Sequence, residues 1–511
     1  MKDEFEGIDR IAAPVKARSP VGSAGPTVVL PERRLVQAWR LVQAWRQQGL
    51  VVLTLVFSDA LFAFLFWGLA LTLHAIWRQG QPLEGATATY ILASTVLWIG
   101  LRALVGLYPG YGLAPAEELR RQSYATLATL AITTLFAFAF QAGNLLPRLL
   151  IGINFLELLL MAPLIRHFVK QGMAKVELWG KPVVVLGAGK TAKQLIINLR
   201  REWGLGFRPV ALFDFRLAPV EGDLEGVPYE GSLTDAMEVA RKQNIDTVIF
   251  AMPQIQRKHL AKLVDAAGRR FQNVIVVPNL GGITNSAIVA RDFAGLCGVE
   301  IKHNLLNTWS RMAKRALDLF GAVVGGLLIA PLLLAMGVLI KLDSAGPLFY
   351  AHMRLGTDGQ YFYCWKFRTM HTDASQLLTE LLQSNPDLRS EWEANHKLRD
   401  DPRITRVGRL LRKTSLDELP QLWNVLRGEM SLAGPRPIVD TEAPKYGETY
   451  ELYQRVKPGM TGLWQVSGRS GTSYEERVAI DAYYVRDWSI WLDLVILART
   501  VKIVTFGRGA F

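Results

Sequence analysis

The sequence predicts a three-part membrane protein. A helical bundle of four membrane spans comes first, a Rossmann-like α/β domain second, and a mainly α C-terminal domain with one further, re-entrant apolar helix third. Three observations predict it. Half of the 511 residues are hydrophobic, and they gather in blocks long enough to cross a bilayer core. A strand, glycine turn and helix open near residue 182, and β-rich runs follow at regular spacing. Beyond residue 311, a long uncharged stretch precedes a region where paired acids meet clustered cations. The formal net charge of +13 favours an anionic partner, either lipid headgroups or phosphorylated substrates. Nucleic acid is set aside, because none of its usual recognition modules is present. Two cysteines, Cys297 and Cys364, argue against a disulfide scaffold and suit a reducing compartment.

Residues 1–47 form a disordered and interfacial N-terminus. The first thirty or so mix Pro, Gly, Ser and charge without period, and hold no apolar run of the signal-peptide kind. A tandem repeat follows, Arg34–Trp39 and Arg40–Trp45. It reads either as an interfacial amphipathic helix or as a duplication that lengthens a helix.

The transmembrane region covers 48–170, with apolar segments near 49–77, 87–107, 123–141 and 148–166. Arg33, Arg34, Arg40 and Arg46 precede the first, Arg120 and Arg121 separate the second from the third, and Arg166, Lys170 and Lys175 follow the fourth. The opposite loops carry only Arg78 and Arg148, so both ends of the block are expected on the cytoplasmic side. Asp59, Arg102 and Glu157 fall within or near the spans. Helix-to-helix pairing is the preferred reading of them, with a functional role as the competitor.

The Rossmann-like domain covers 180–300. Gly187, Gly189 and Ala192 fit a dinucleotide fingerprint, and Asp214 stands where a ribose-binding acid would. A tight strand-to-helix turn needs the same glycines, so cofactor binding is here the minor reading. Further strands are expected at Val210–Phe215, Asp246–Met252 and Val274–Pro278.

The region 311–511 is organised around Thr414–Gly428. Thr414 or Ser415 is expected to cap a helix with Asp417 and Glu418 in its first turn, where carboxylates face the positive end of the dipole and stay ionised. Leu416, Leu419, Leu422, Trp423 and Leu426 recur at helical spacing and predict an apolar face. Adjacent acids point roughly 100° apart on a helix, so one can attack while the other helps to hold a metal. Arg406, Arg409, Arg412 and Lys413 upstream, with Arg427 and Arg436 downstream, suit a phosphate-bearing substrate.

Thr414–Pro437 resembles the central signature of the bacterial polyprenyl-phosphate sugar-1-phosphate transferases, the monotopic phosphoglycosyl transferases. So do Lys314–Asp318, Lys366–Met370, Asp401–Thr405 and Lys457–Arg469, in family order. The resemblance implies a two-step reaction. Asp417 attacks the β-phosphorus of a UDP-sugar and expels UMP, and polyprenyl phosphate then takes the sugar-phosphate from the aspartyl adduct. It implies magnesium at Asp417 or Glu418, with manganese as an alternative, and no assured organic cofactor. Phosphate contacts fall to Lys366, Arg368, Arg412 and Arg436, and the nucleotide to Gly462–Arg469. Lys314, Arg315 and Asp318 are suited to the lipid-phosphate headgroup or to anchoring the apolar helix.

That helix, 318–342, carries Pro331 near its middle. A fifth crossing would export everything after Asp343, away from nucleotide-sugars made inside the cell. A break at Pro331 that returns the chain to the inner face is therefore expected, as the resemblance also implies. The run Trp488–Phe506 reads as a surface helix or as core. The insert around Glu380–Leu398, the run Tyr363–Phe367 and the end Gly509–Phe511 resemble the galactose-1-phosphate transferases of O-antigen synthesis, with glucose as the near rival. The implied setting is the inner membrane, with UDP-sugar, undecaprenyl phosphate and membrane lipid as partners and a homodimer as assembly. A membrane-tethered NAD-dependent dehydratase or epimerase is the reading from another class. It lacks a Tyr-x-x-x-Lys pair within 181–300, the one instance being Tyr453 and Lys457.

Overall fold

A computed structural model of the chain describes residues 32–77, 86–139, 148–214, 223–243, 245–255, 257–268, 271–277, 288–293, 296–301, 308–384, 389, 401–467 and 473–506. It divides into two compact units, Met1–Gly282 and Ile283–Phe511. The sequence readings of residues 1–31, of Arg469 and of most of the insert beyond Ser384 lie outside the described residues.

The first unit begins with four helices: α1 (Glu32–Trp77), α2 (Ala86–Leu104), α3 (Pro115–Ala139) and α4 (Arg148–Lys175). They coincide with the four expected apolar segments. The tandem repeat continues without interruption into the first of them, in line with a duplication that lengthens a helix. Ala63, Trp67, Ala70, Trp98, Leu150, Phe155 and Leu158 fill the bundle core, while Leu53, Phe57, Leu135 and Phe138 are exposed in the manner of a lipid-facing surface. By length and hydropathy Gln48–Trp77 and Leu149–Lys175 are long and apolar enough to cross a membrane.

Charge at one end of the bundle is paired. Asp59 meets Arg102 at 3.2 Å and accepts from the Tyr108 hydroxyl, and Glu118 meets Arg166 at 2.7 Å and also Lys170. Asp59 and Arg102 are thus helix-to-helix partners, as preferred. Arg166 also donates to the Leu107 and Pro109 carbonyls and holds the α2–α3 loop.

The α/β domain follows with β1 (Lys181–Leu186), α5 (Lys190–Arg201), β2 (Phe207–Asp214), β3 (Asp223–Leu224), β4 (Val227–Ser232), α6 (Leu233–Gln243), β5 (Thr247–Phe250), α7 (Arg257–Gly268) and β6 (Asn273–Val276). The sheet runs β3-β4-β2-β1-β5-β6, parallel except for β3 at its edge. Its parallel strands have the Rossmann order. Val184 and Leu186 point into one core and Val185 into another, so the central strand is covered on both faces. The domain ends earlier than residue 300. The hairpin β7 (Ile288–Phe293) and β8 (Leu296–Ile301) falls in the second unit.

In the second unit, α8 runs from Thr308 to Asp343 with Pro331 inside it. The chain does not leave the helix there, which corrects the expected break: proline removes one hydrogen bond, and the turns on either side hold. Asp318, Ala322, Met336 and Ile340 form one buried stripe, while Phe320, Leu327, Leu328 and Leu334 are exposed. Ala322 packs with Phe362, Cys364, Val425 and Leu432, and Met336 and Ile340 pack with Phe367 and Leu411. Both halves of α8 therefore lie on the same small domain. That domain holds the hairpin β9 (Phe349–Leu355) and β10 (Tyr361–Phe367), then α9 (Ala374–Ser384), α10 (Arg406–Thr414) and α11 (Gln421–Arg427). After them come the parallel pair β11 (Ser431–Ala433) and β12 (Gly459–Thr461), with α12 (Tyr450–Gln454) between, and α13 (Leu463–Ser467), α14 (Tyr474–Arg486) and α15 (Ile490–Phe506). Trp488, Leu492 and Ile496 are buried and Val501 and Val504 exposed, so the first turns of α15 belong to the core.

Candidate active site

The paired acids do not open a helix. Neither Thr414 nor Ser415 caps one by its side chain: α11 starts after Pro420, uncapped, while upstream Thr405 caps α10, its side chain accepting from the Gly408 amide at 2.9 Å. Ser415 ends α10 in the left-handed region at φ 56°, and Leu416–Glu418 form a single 3-10 turn before Pro420 and α11. Leu416 packs beside Phe367 and Leu411 on one side of the turn, and Leu422 and Leu426 pack beside Cys364 and Val425 on the other. The turn is pinned at both ends. Trp423 is not on the apolar face: it is exposed, with the Arg427 guanidinium over its ring.

Asn424 fixes α11 against β10. Its side-chain amide donates to the Tyr363 carbonyl at 2.7 Å, and its oxygen accepts from the Trp365 amide at 3.1 Å. This register brings Lys366 to the turn, where Nζ donates to Glu418 Oε1 at 2.6 Å. A small pocket opens at this point, and its lining includes Arg354, Cys364, Lys366, Glu418, Gln421 and Arg436. Arg436 is exposed and makes no hydrogen bond or ion pair among the described residues. It is carried on a rigid loop, Gly434–Pro437, whose Pro435 carbonyl accepts from the Gly459 amide at 2.7 Å.

Environment separates the two carboxyls. Burial pushes Asp417 above the ordinary aspartate value; Lys366 and Arg412 oppose this, and Glu418 adds to it. Burial also pushes Glu418 up, but Lys366, Arg436 and Arg354 together hold it below the usual glutamate range. The two acids of the turn are thus shifted in opposite directions, Asp417 upward and Glu418 downward. Burial raises the Cys364 thiol, which makes it a packing group rather than a nucleophile.

The other expected site residues divide. Arg412 stands on the Asp417 side, with Nε donating to Thr369 Oγ1 at 2.9 Å. Arg368 is buried and donates to the carbonyls of Ser344 and Ala345 at 2.7 and 2.8 Å, so it ties down the exit of α8 instead of facing the pocket. Lys314 donates to Asp493 at 2.6 Å and to the Ala433 carbonyl, and Arg315 donates to the Val425 and Leu426 carbonyls at 2.6 and 2.9 Å. Asp318 is buried and accepts from Ser431 Oγ and the Leu432 amide. These contacts fasten α8 to the domain. Tyr453 is buried, donating to the Leu355 carbonyl and accepting from the Ile438 amide, so Tyr453 and Lys457 are no redox pair.

In the α/β domain Gly187, Gly189 and Asp214 gather at the C-terminal edge of β1 and β2. Gly187 has φ +110°, and a Cβ on it would meet Met252 Cγ at 2.6 Å and the Ala251 carbonyl oxygen at 2.9 Å. The turn itself demands that glycine. Gly189 opens α5 without a side-chain cap. Arg354, Gln421 and Asn424 were not found by sequence reasoning. The signal for Asn424 was there, a polar residue among Leu422, Trp423, Val425 and Leu426, whereas Arg354 is joined to the turn only by the β9–β10 pairing.

Comparison with known proteins places this geometry among relatives. A family model described as bacterial sugar transferase matches residues 309–507, and one described as CoA-binding domain matches 103–278. The UDP-galactose-lipid carrier transferase of Erwinia amylovora is 35% identical over 91% of this chain and 98% of its own length. The undecaprenyl-phosphate galactose phosphotransferase of Salmonella typhimurium is 36% identical over 69% of this chain and 74% of its own. The exopolysaccharide production protein ExoY of Rhizobium meliloti is 50% identical over 39% of this chain and 88% of its own.

Proposed function

Because the chain belongs to the bacterial sugar transferase family, we propose that it moves a hexose-1-phosphate from a UDP-sugar to undecaprenyl phosphate, releasing UMP. This is the first membrane step of O-antigen, exopolysaccharide or capsule synthesis. Galactose is the sugar of this reading, since the relatives from Erwinia amylovora and Salmonella typhimurium, which match 91% and 69% of this chain, carry galactose in their names. The observation that carries the reading is the pinned turn of Asp417 and Glu418 beside Lys366 and Arg436.

The mechanism follows from that turn. The carboxylate of Asp417 attacks the β-phosphorus, the bond from phosphorus to the bridging oxygen breaks, and UMP leaves with the electron pair. A carboxylate suits this task because its phosphoryl adduct is a reactive mixed anhydride. Lys366, bonded to Glu418, stands beside both carboxyls and meets the charge of the transferring group. Polyprenyl phosphate then attacks the adduct and restores the carboxylate. No third His, Cys, Asp or Glu joins the two acids among the described residues. A pair of carboxylates fits magnesium, or manganese, which keeps waters and substrate oxygens in its shell. Asp417 and Glu418 would hold such an ion, and it would neutralise donor phosphate charge.

α8 is long and apolar enough to enter a membrane and its outer side is exposed; the proposed placement is a re-entrant seat in the inner leaflet, with the chain bent at Pro331 inside an unbroken helix rather than broken there. The four preceding helices and their flanking cations support four spans, an inner-membrane location and a catalytic domain facing the cytoplasm. A homodimer is the proposed assembly. The test uses purified protein in nanodiscs with UDP-galactose labelled in the sugar. Wild type should trap sugar-phosphate on the protein and release UMP, and Asp417→Asn should do neither. Retained labelling in that variant would overturn the assignment.

A further inference from the structure

The groups around the turn fall in an order. Arg412 acts on Asp417, Lys366 acts on both acids, and Arg354 with Arg436 acts on Glu418. The pocket lies on the Glu418 side: Arg354, Lys366, Glu418 and Arg436 line it, and Asp417 and Arg412 do not. If Asp417 takes the β-phosphorus, this pocket receives what is bonded next to it. Two such neighbours exist, the sugar and the nucleotide's own phosphate. A sugar offers neutral hydroxyls and has no use for three cations, whereas the nucleotide phosphate gains negative charge as the bridging bond breaks.

Arg354 is placed for that role. It stands on β9, directly paired with Phe362 in the strand next to it, and alternates with the exposed Met353 so that it faces inward. Its Nη1 donates to the Pro437 carbonyl at 3.4 Å and lies 3.9 Å from Glu442 Oε2. Both contacts are long, which steadies the guanidinium without occupying its fork of donors. Its side chain keeps 21% of its surface exposed.

We propose that Arg354, together with Arg436, binds the phosphate of the departing uridylate and stabilises it as the leaving group. The proposal rests on Asp417 as nucleophile. It separates the two half-reactions. Asp417 exchanges phosphorus with UMP in the first, and UMP has gone before polyprenyl phosphate attacks in the second. Arg354 therefore serves the first and not the second.

The experiment follows both halves on the full-length protein in nanodiscs. The first is read as the rate of labelled adduct formation and as exchange of labelled UMP into UDP-sugar. The second is read by letting adduct accumulate, removing nucleotide and adding undecaprenyl phosphate. Arg354→Ala should slow the first half by about a hundredfold and leave the second within about twofold. Arg354→Lys, which keeps charge but loses the fork, should fall between. Glu442→Gln, which removes a brace but not the cation, should stay near wild type in both. A normal second half also shows that the alanine variant is folded. Equal loss in both halves would make Arg354 a brace for the Pro437 loop and overturn the proposal, as would an unchanged first half. Asp417→Asn that still formed adduct would instead sink the underlying reading, whatever Arg354 does.

Discussion

Asp417 must be ionised to attack, so its surroundings set the acid limb of the first half-reaction. Burial raises its carboxyl above the ordinary 3.8, Lys366 is the strongest opposing influence, and Glu418 raises it further. The signs for two variants then differ. Lys366→Met removes a cation that favoured the ionised form, so the acid limb should move to higher pH. Glu418→Gln removes a like charge that disfavoured it, so the limb should move to lower pH. A displacement of one pH unit corresponds to about 1.4 kcal/mol of differential interaction. Initial rates of adduct labelling across pH in the three proteins measure this, and shifts in the same direction for both variants would contradict the arrangement. The acids themselves were legible in the sequence through their motif. Their turn was not: Ser415 adopts a left-handed conformation with no glycine to announce it, and the helix expected to start there begins only after Pro420, leaving the acids in a 3-10 turn. Arg354 was invisible for another reason. It lies more than sixty positions from Glu418, and only the hairpin pairing of β9 with β10 and the Asn424 bridge bring the two together.

Elements that read clearly were those fixed by local pattern. The four apolar blocks became α1 to α4, and the strands expected at Val210–Phe215, Asp246–Met252 and Val274–Pro278 are β2, β5 and β6. The arginine loop depends instead on a close backbone approach that composition does not reveal. Gly459 on β12 sits against Gly434, and a Cβ on it would lie 2.1 Å from the Gly434 nitrogen and 2.5 Å from the Thr461 oxygen. Backbone atoms cannot move aside as a flexible side chain would, so Gly459→Ala must part β11 from β12. The Gly459 amide holds the Pro435 carbonyl at 2.7 Å, so parting the strands displaces Arg436 as well. The expected outcome is a lowered melting temperature together with adduct formation reduced at least about tenfold, in keeping with the cost of overpacking about 1–3 kcal/mol. Melting and labelling of the purified variant measure both, and wild-type values in both would show that the pair is more yielding than its geometry implies.

At the scale of the whole molecule the two compact units carry different burdens. The second contains the acid turn, all the cations around it and its own buried clusters. A relative such as ExoY matches this chain over 200 residues that make up 88% of its own length, so the transferase region occurs with little else attached. The first unit holds a buried charge network in which Asp59 is the partner of Arg102, with both side chains nearly inaccessible. Asp59→Asn leaves that guanidinium uncompensated, and breaking a buried pair by removing one partner costs about 3–5 kcal/mol. The loss should fall on the first unit alone. Asp59→Asn should therefore lower the melting temperature of the full-length protein in detergent while adduct formation at Asp417 stays within about twofold, since the two residues belong to separate compact units and share no partner among the described residues. Residues 283–511 expressed alone in membranes should likewise label with UDP-galactose and pass the sugar-phosphate to undecaprenyl phosphate. If the isolated unit stays folded but cannot label, the helical bundle and the α/β domain take part in the chemistry, and the division of labour drawn from the two units is wrong.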